Sequence, residues 1–109
     1  MYETSKNSVL EMTKKYHTKH GRYIIKLPNP FKFNSHQRFR EMCESLDHDD
    51  SVEFDLRHVT SIDSSALGML MLAHEYFGKD RNRLFLSHIH TNVKSVFDVA
   101  RMDVLYTMH

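Results

Sequence analysis

The sequence predicts an α/β fold, a mixed β-sheet of four to five strands with three to four helices packed on one side. Three observations predict it. Short runs of β-branched, aliphatic and aromatic residues come first, at 9–12 and 23–27. From residue 34 onward, segments with helical apolar spacing alternate with strand-like runs. No repeat, low-complexity tract or Gly/Ser-rich linker interrupts that alternation. Strands followed by helix–strand–helix–strand–helix form the pattern of a mixed sheet covered by helices. Parallel strands joined through a helix cross over with one hand, which puts all the helices on one side. A chain of 109 residues, 40% of them hydrophobic, can bury one modest core, so a single domain over 1–109 is expected.

The elements follow in order. Val9, Leu10, Glu11 and Met12 form a first, weak strand. Tyr23, Ile24, Ile25, Lys26 and Leu27 form a firmer one, preceded by Gly21 and ended by Pro28-Asn29-Pro30, and residues 14–22 read as a polar hairpin connection. Asn34 or Ser35 can cap a helix in which Phe39, Met42, Cys43 and Leu46 recur at i, i+3, i+4 and i+7, ending near Asp47. Val52, Phe54 and Leu56 alternate with polar neighbours, and Val59 and Ile62 follow closely, which suggests a central strand. Asp63 or Ser64 caps a second helix over 66–77. Its apolar residues Leu67, Met69, Leu70, Met71, Leu72 and Ala73 surround it almost completely, so it is expected to be deeply buried. Gly78 ends it, and Lys79-Asp80-Arg81-Asn82 turns into a strand over 83–87. Thr91 or Asn92 starts a third helix with Val93, Val96, Phe97 and Ala100 on one face, and Val104, Leu105 and Tyr106 form a short last strand.

Composition excludes several functions. Fifteen Lys and Arg nearly balance fourteen Asp and Glu, with no long single-sign block, so nucleic acid is not expected as the ligand. One cysteine, Cys43, permits neither an internal disulfide nor a Cys-cluster zinc site, and its place on the apolar stripe of the first helix makes it a small hydrophobe. Neither a signal peptide nor an apolar stretch approaching ~20 residues is visible, so a cytoplasmic protein off the membrane is expected. Nine histidines, among them His58, His74, His88 and His90, raise the question of a metal. A closed zinc site wants four N or S ligands, and surface or satisfied histidine is the simpler reading, with no metal expected. The loose cluster Lys14, Lys15, His17, Lys19, His20 and Arg22 reads as a solvated hairpin. No Gly-x-Ser-x-Gly elbow supports hydrolase chemistry, so no catalytic residue is expected.

The segment of greatest interest is Asp55-Leu56-Arg57-His58-Val59-Thr60-Ser61-Ile62 followed by Asp63-Ser64-Ser65-Ala66-Leu67-Gly68. Alone, Asp63-Ser64-Ser65 reads as a helix cap. In context it resembles the STAS family, whose hallmark is a strand followed by Asp-Ser-Ser-Gly-Leu-Gly at the start of the next helix. The likeness continues through residues 84–87 and Asn92-Val93-Lys94-Ser95-Val96-Phe97-Asp98. Two departures stand out: Ala66 replaces the usual glycine, and Pro28-Asn29-Pro30-Phe31-Lys32-Phe33 replaces a Gly-Glu-Leu-Asp-like segment.

The resemblance implies the STAS fold and a phosphorylation-controlled partner-switching regulator of the anti-sigma-factor-antagonist type. Ser64 would be the phosphoacceptor, with Ser65 as the alternative, and Asp63, Ser64, Ser65 and Ala66 would meet the partner. The implied partners are a serine kinase that doubles as an anti-sigma factor and a metal-dependent phosphatase of the PP2C type. The protein is then a substrate rather than an enzyme and carries no cofactor, ATP and metal belonging to the partners. An alternative output is a regulator other than a sigma factor, such as one controlling biofilm formation. The alternative role is a structural subunit of a lipid-transport ABC complex, which needs no phosphoserine; the serine pair favours signalling.

Overall fold

The computed structural model describes residues 12–109. The first two strands, β1 (Thr13–His17) and β2 (Arg22–Lys26), are joined by a four-residue reversal in which Gly21 takes φ +67° and donates its N–H to the His17 carbonyl at 2.9 Å. So tight a return can join only antiparallel neighbours, as Thr13 opposite Lys26 and His17 opposite Arg22 show. The later strands, β3 (Val52–Asp55), β4 (Leu84–Ser87) and β5 (Thr107–Met108), add in parallel, giving the order β1-β2-β3-β4-β5. Parallel neighbours need long crossovers, and each crossover holds one helix: α1 (His36–Glu44), α2 (Ser64–Tyr76) and α3 (Thr91–Val99). The mixed sheet with three helices is the expected architecture.

All three helices bury into one core against one face of the sheet. Ile25, Leu27, Val52, Phe54, Leu84 and Leu86 supply the sheet side of that core, and each is fully buried. Phe39 and Cys43 of α1, Met69, Leu70 and Ala73 of α2, and Val93 and Phe97 of α3 close over them. Burial, helped by the charge of Glu44, pushes the Cys43 thiol up to about 12, which makes it unreactive packing. Tyr106 fills the space under β5 and donates its hydroxyl to the Leu70 carbonyl at 2.6 Å.

The opposite face of β3 is polar yet also buried. Glu53 and Asp55 are 7% and 2% exposed. Arg22 Nε reaches Glu53 Oε1 at 2.9 Å, and Ser87 donates its hydroxyl to Glu53 Oε2 at 2.5 Å. Asp55 accepts the backbone N–H of Arg57 at 3.0 Å and the Arg57 guanidinium at 2.9 Å. Buried carboxylates need partners of this kind.

Three expectations require correction. The strand expected at 9–12 falls, for residues 9–11, outside the described residues, and a strand is observed at Thr13–His17, all but its first residue inside the stretch 14–22 read as a connection. It is an edge strand with four of its five residues exposed, so its lysines give the composition of a loop. The last strand lies at Thr107–Met108 instead of 104–106, because Arg101 turns the chain at φ 56° into a 3-10 turn over Met102–Val104. Finally, α2 is not buried all round: Leu72 is 62% exposed and Met71 39%. A run of apolar residues long enough to look core-like from every side has in fact an outer face.

Leu70 is fully buried on the inner face of α2. Truncating it to Ala should destabilise the protein by about 2–5 kcal/mol in denaturant unfolding; a change under ~0.5 kcal/mol would place Leu70 at the surface instead.

Candidate functional site

The C-terminal end of β3 runs into a turn fixed from several sides. Val59 N–H bonds to the Leu56 carbonyl at 3.0 Å, and the side chains of Leu56 and Val59 are both fully buried. His90 Nε2 lies 2.8 Å from the Arg57 carbonyl, and the Asn92 amide donates to the Thr60 carbonyl, so the start of α3 braces the turn. On the other side, Pro30, Phe31 and Lys32 line a small cleft with Ser61, Ile62 and Asp63. The segment that replaces the Gly-Glu-Leu-Asp-like stretch therefore flanks the motif turn.

Asp63 is the cap of α2. Its backbone is extended, φ −112° and ψ −179°, and its Oδ1 accepts the Ala66 N–H at 2.9 Å. Ser64 then occupies the first helical position and is exposed; Ser65 follows it, half-buried. Ala66, expected among the partner-facing residues, is 0% exposed. Its methyl group packs into the core and its N–H is spent on the cap, so it shapes the turn from inside and touches nothing outside.

Helical geometry at 3.6 residues per turn determines what shares a face with Ser64. Ala66, Met69, Leu70, Ala73 and His74 point inward. The outward face runs from Ser64 past Gly68 to Met71, Leu72 and Glu75. Gly68 is the unusual member, because among the described residues nothing lies within 4 Å of where a Cβ would stand. The fold itself has room for a side chain, and glycine in a helix costs roughly 0.5–1 kcal/mol relative to alanine. The outward face thus offers a serine at its head, a bare patch of backbone and two exposed apolar side chains.

The other residues singled out in the sequence do not join this site. His74 lies in the core with its ring 6.0 Å from that of Tyr106, and burial, then the Lys79 charge, lower its pKa against a smaller opposing effect of Glu75. His88 and His90 follow the end of β4, and among the described residues they form no shared ligand set with His74. Sequence reasoning missed the exposed stripe of α2, although the glycine at 68 within an otherwise apolar helix was its visible sign.

With the strand–turn–helix geometry established, comparison with known proteins decides the family. A profile for the STAS domain matches residues 11–108. The chain belongs to the STAS-domain family. It is also 30% identical over 83 residues to a STAS-domain containing protein of Pseudomonas aeruginosa (strain UCBPP-PA14), covering 75% of this chain and 82% of that relative. Among the described residues, this STAS domain has no helix long and apolar enough to cross a membrane.

The cap gives a direct test of the local geometry. Asp63→Ala should lose about 0.5–2 kcal/mol in urea unfolding, while Asp63→Asn, which keeps an acceptor oxygen, should lose much less. Equal stability for wild type and the alanine variant would show that the Asp63–Ala66 bond does not hold the start of α2.

Proposed function

We propose that this STAS protein is a phosphorylation-controlled partner-switching regulator of the anti-sigma-factor-antagonist kind. It binds a serine kinase or anti-sigma-type partner when Ser64 is unmodified and releases it when Ser64 carries phosphate. The single observation that supports this most is the position of Ser64 at the head of the one face of α2 that the fold leaves uncovered. A partner laid along Gly68, Met71 and Leu72 must pass directly over that hydroxyl. Ser65, half-buried one position on, is the alternative acceptor.

The electrostatics favour a change at the interface over a change in the fold. Phosphate adds about −1.5 to −2 charges and three acceptor oxygens. The N-terminus of a helix has unpaired N–H groups and a partial positive charge, so an exposed phosphate there gains ~0.3–1 kcal/mol instead of disrupting the helix. Asp63, one residue away, is already committed through Oδ1 to the Ala66 N–H. Its negative charge and the phosphate would together confront a surface shaped for a neutral hydroxyl. Loss of a few kcal/mol of binding, each ~1.4 being tenfold in affinity, is enough to move a partner from bound to free. A phosphatase of the PP2C type resets the switch. In this reading the chain is substrate and ligand, works in the cytoplasm, and itself holds no cofactor.

Glycine at 68 supports the same face. It leaves the helix backbone open at mid-stripe, where a partner can approach more closely than a side chain would allow. The replaced segment around Phe31 and Lys32 borders the turn, so it tailors which partner fits.

Ser64→Ala should fold normally and bind the kinase partner persistently, whereas Ser64→Asp should weaken calorimetric affinity by at least about tenfold. Mass spectrometry after incubation with kinase and ATP should place phosphate on Ser64. Phosphate on Ser65 alone would move the switch by one residue. No phosphate on either serine, with equal affinity for the Ala and Asp variants, would sink the switch and leave docking as a structural subunit in its place.

Gly68→Ala separates interface from fold. It should raise stability by about 0.5–1 kcal/mol in denaturant unfolding and weaken the partner at the same time. A stabilised variant with unchanged affinity would take the partner off this face.

A further inference from the structure

The face of the sheet that carries no helix has a chemistry of its own. The side chains of β2, β3 and β4 on that face, with the turns at either end, line an open basin of about 960 Å3, near the upper end of the ~300–1,000 Å3 usual for small-molecule sites. Its floor is Glu53, Asp55 and Ser87, with Ile24 and Ile89 as apolar walls. Five imidazoles line it: His17 from β1, His20 from the β1–β2 turn, His88 and His90 after β4, and His109 after β5. The sequence scatters these five over more than ninety positions, and only the sheet brings them together.

Permanent charge on this face is in positive excess. Glu53 and Asp55 are the acids, each already held by its arginine, Arg22 or Arg57. Among the described residues, register places Lys15 and Lys26 on the same face without an ion pair, so four permanent cations there stand against two carboxylates, with Lys19 in the turn beside His20. The arginines also touch the imidazoles. Arg57 Nη2 is 3.1 Å from His88 Nε2, and Arg22 Nη2 is 3.4 Å from His109 Nε2 while its guanidinium lies 3.9 Å over the Phe85 ring. His17 and His20 stack at 4.6 Å, and the His17 Nδ1 is shielded from solvent with no hydrogen-bond partner among the described residues.

These contacts are coherent only for neutral rings, which accept from the guanidinium donors. An imidazole that gains a proton repels the neighbouring arginine unless an anion lies between them. Burial and the charges of His17, Arg22 and Lys19 already oppose protonation of His20, with Glu53 acting the other way. A bound anion reverses that opposition. Protons and anion therefore favour each other's binding.

We propose that the helix-free face of the sheet binds a small, multiply charged anion of the phosphate class, such as a polyphosphate or a metabolite-sized phosphate ester, together with protons taken up by the basin histidines. Arginines on two sides of the floor and imidazoles around it call for more than one anionic group. The overall charge of only +1 disfavours a nucleic-acid strand, which needs an extended basic track. The site is on the other side of the sheet from α2, so it adds a second input to the protein and does not depend on the Ser64 switch.

Inorganic pyrophosphate is a suitable probe, since it becomes more negative as pH rises and weaker binding at high pH must then come from the protein. Titrated at about pH 5.8 and pH 7.8, on either side of the imidazole range, it should shift backbone amides around His17, His20, Arg57 and His88 and bind at least tenfold tighter at the lower pH. His20→Gln/His109→Gln, both at exposed positions, should remove most of that pH dependence, and Ser64→Asp should leave it intact. Calorimetry of the wild type in two buffers of different ionisation enthalpy reads the same linkage without any mutation and should show net proton uptake on binding. No saturable shift at the basin, shifts confined to the β3–α2 turn, or binding without proton uptake would each overturn the proposal.

Discussion

Burying two carboxylates side by side in the central strand is the constraint on which the rest of this structure depends. Val52 and Phe54 anchor one face of β3 in the core, and Glu53 and Asp55 stand on the other, nearly as deeply buried. A buried carboxylate is tolerated only when its lone pairs are matched, and removing one partner of such a pair costs roughly 3–5 kcal/mol. The partners here come from β2, from the second residue past β3 and from β4: Arg22, Arg57 and Ser87. The same side chains that neutralise the acids thus tie the neighbouring strands to the centre. Asp55 also fixes where β3 ends, by accepting the Arg57 backbone N–H and starting the turn.

From that turn the two sides of the molecule diverge in role. Toward the helices, the chain continues through Val59 and the Asp63 cap into α2, whose inner residues complete the core. Because the cap fixes the phase of the helix, it also decides that Ser64 faces solvent in line with Gly68, Met71 and Leu72. Toward the open face, the arginines that satisfy Glu53 and Asp55 reach the histidine-lined basin. One set of buried charges thus stands between an exposed helix face carrying Met71 and Leu72 on one side and a cationic concavity on the other.

Much of this was readable from the residues in order. The stripe Phe39, Cys43 and Leu46 and the face Val93 and Phe97 are buried as their spacing requires, and Asp63 caps the helix it precedes. What escaped had physical reasons. An edge strand solvated on both faces, Thr13–His17, has the composition of a loop. The alternation in β3 marked Glu53 and Asp55 as polar but could not show that distant arginines cover them. An apolar helix such as α2 conceals its outer face, because periodicity fails as a guide when nearly every position is apolar. The sequence showed the close pairs His17/His20 and His88/His90 but not that strand order brings them together with His109; the set His58, His74, His88 and His90 considered from the sequence gives way to His17, His20, His88, His90 and His109.

In the proposed switch, phosphate on Ser64 alters a surface and leaves the fold unchanged. Comparing amide shifts and thermal unfolding of the stoichiometrically phosphorylated chain with those of the unmodified chain tests this most directly. Changes should be confined to the β3–α2 turn and the first turns of α2, with a melting temperature equal to or slightly above that of the unmodified protein, as a phosphate at a helix N-terminus should give. Shifts spread through β3 and the core around Leu70, or a clear drop in melting temperature, would contradict it.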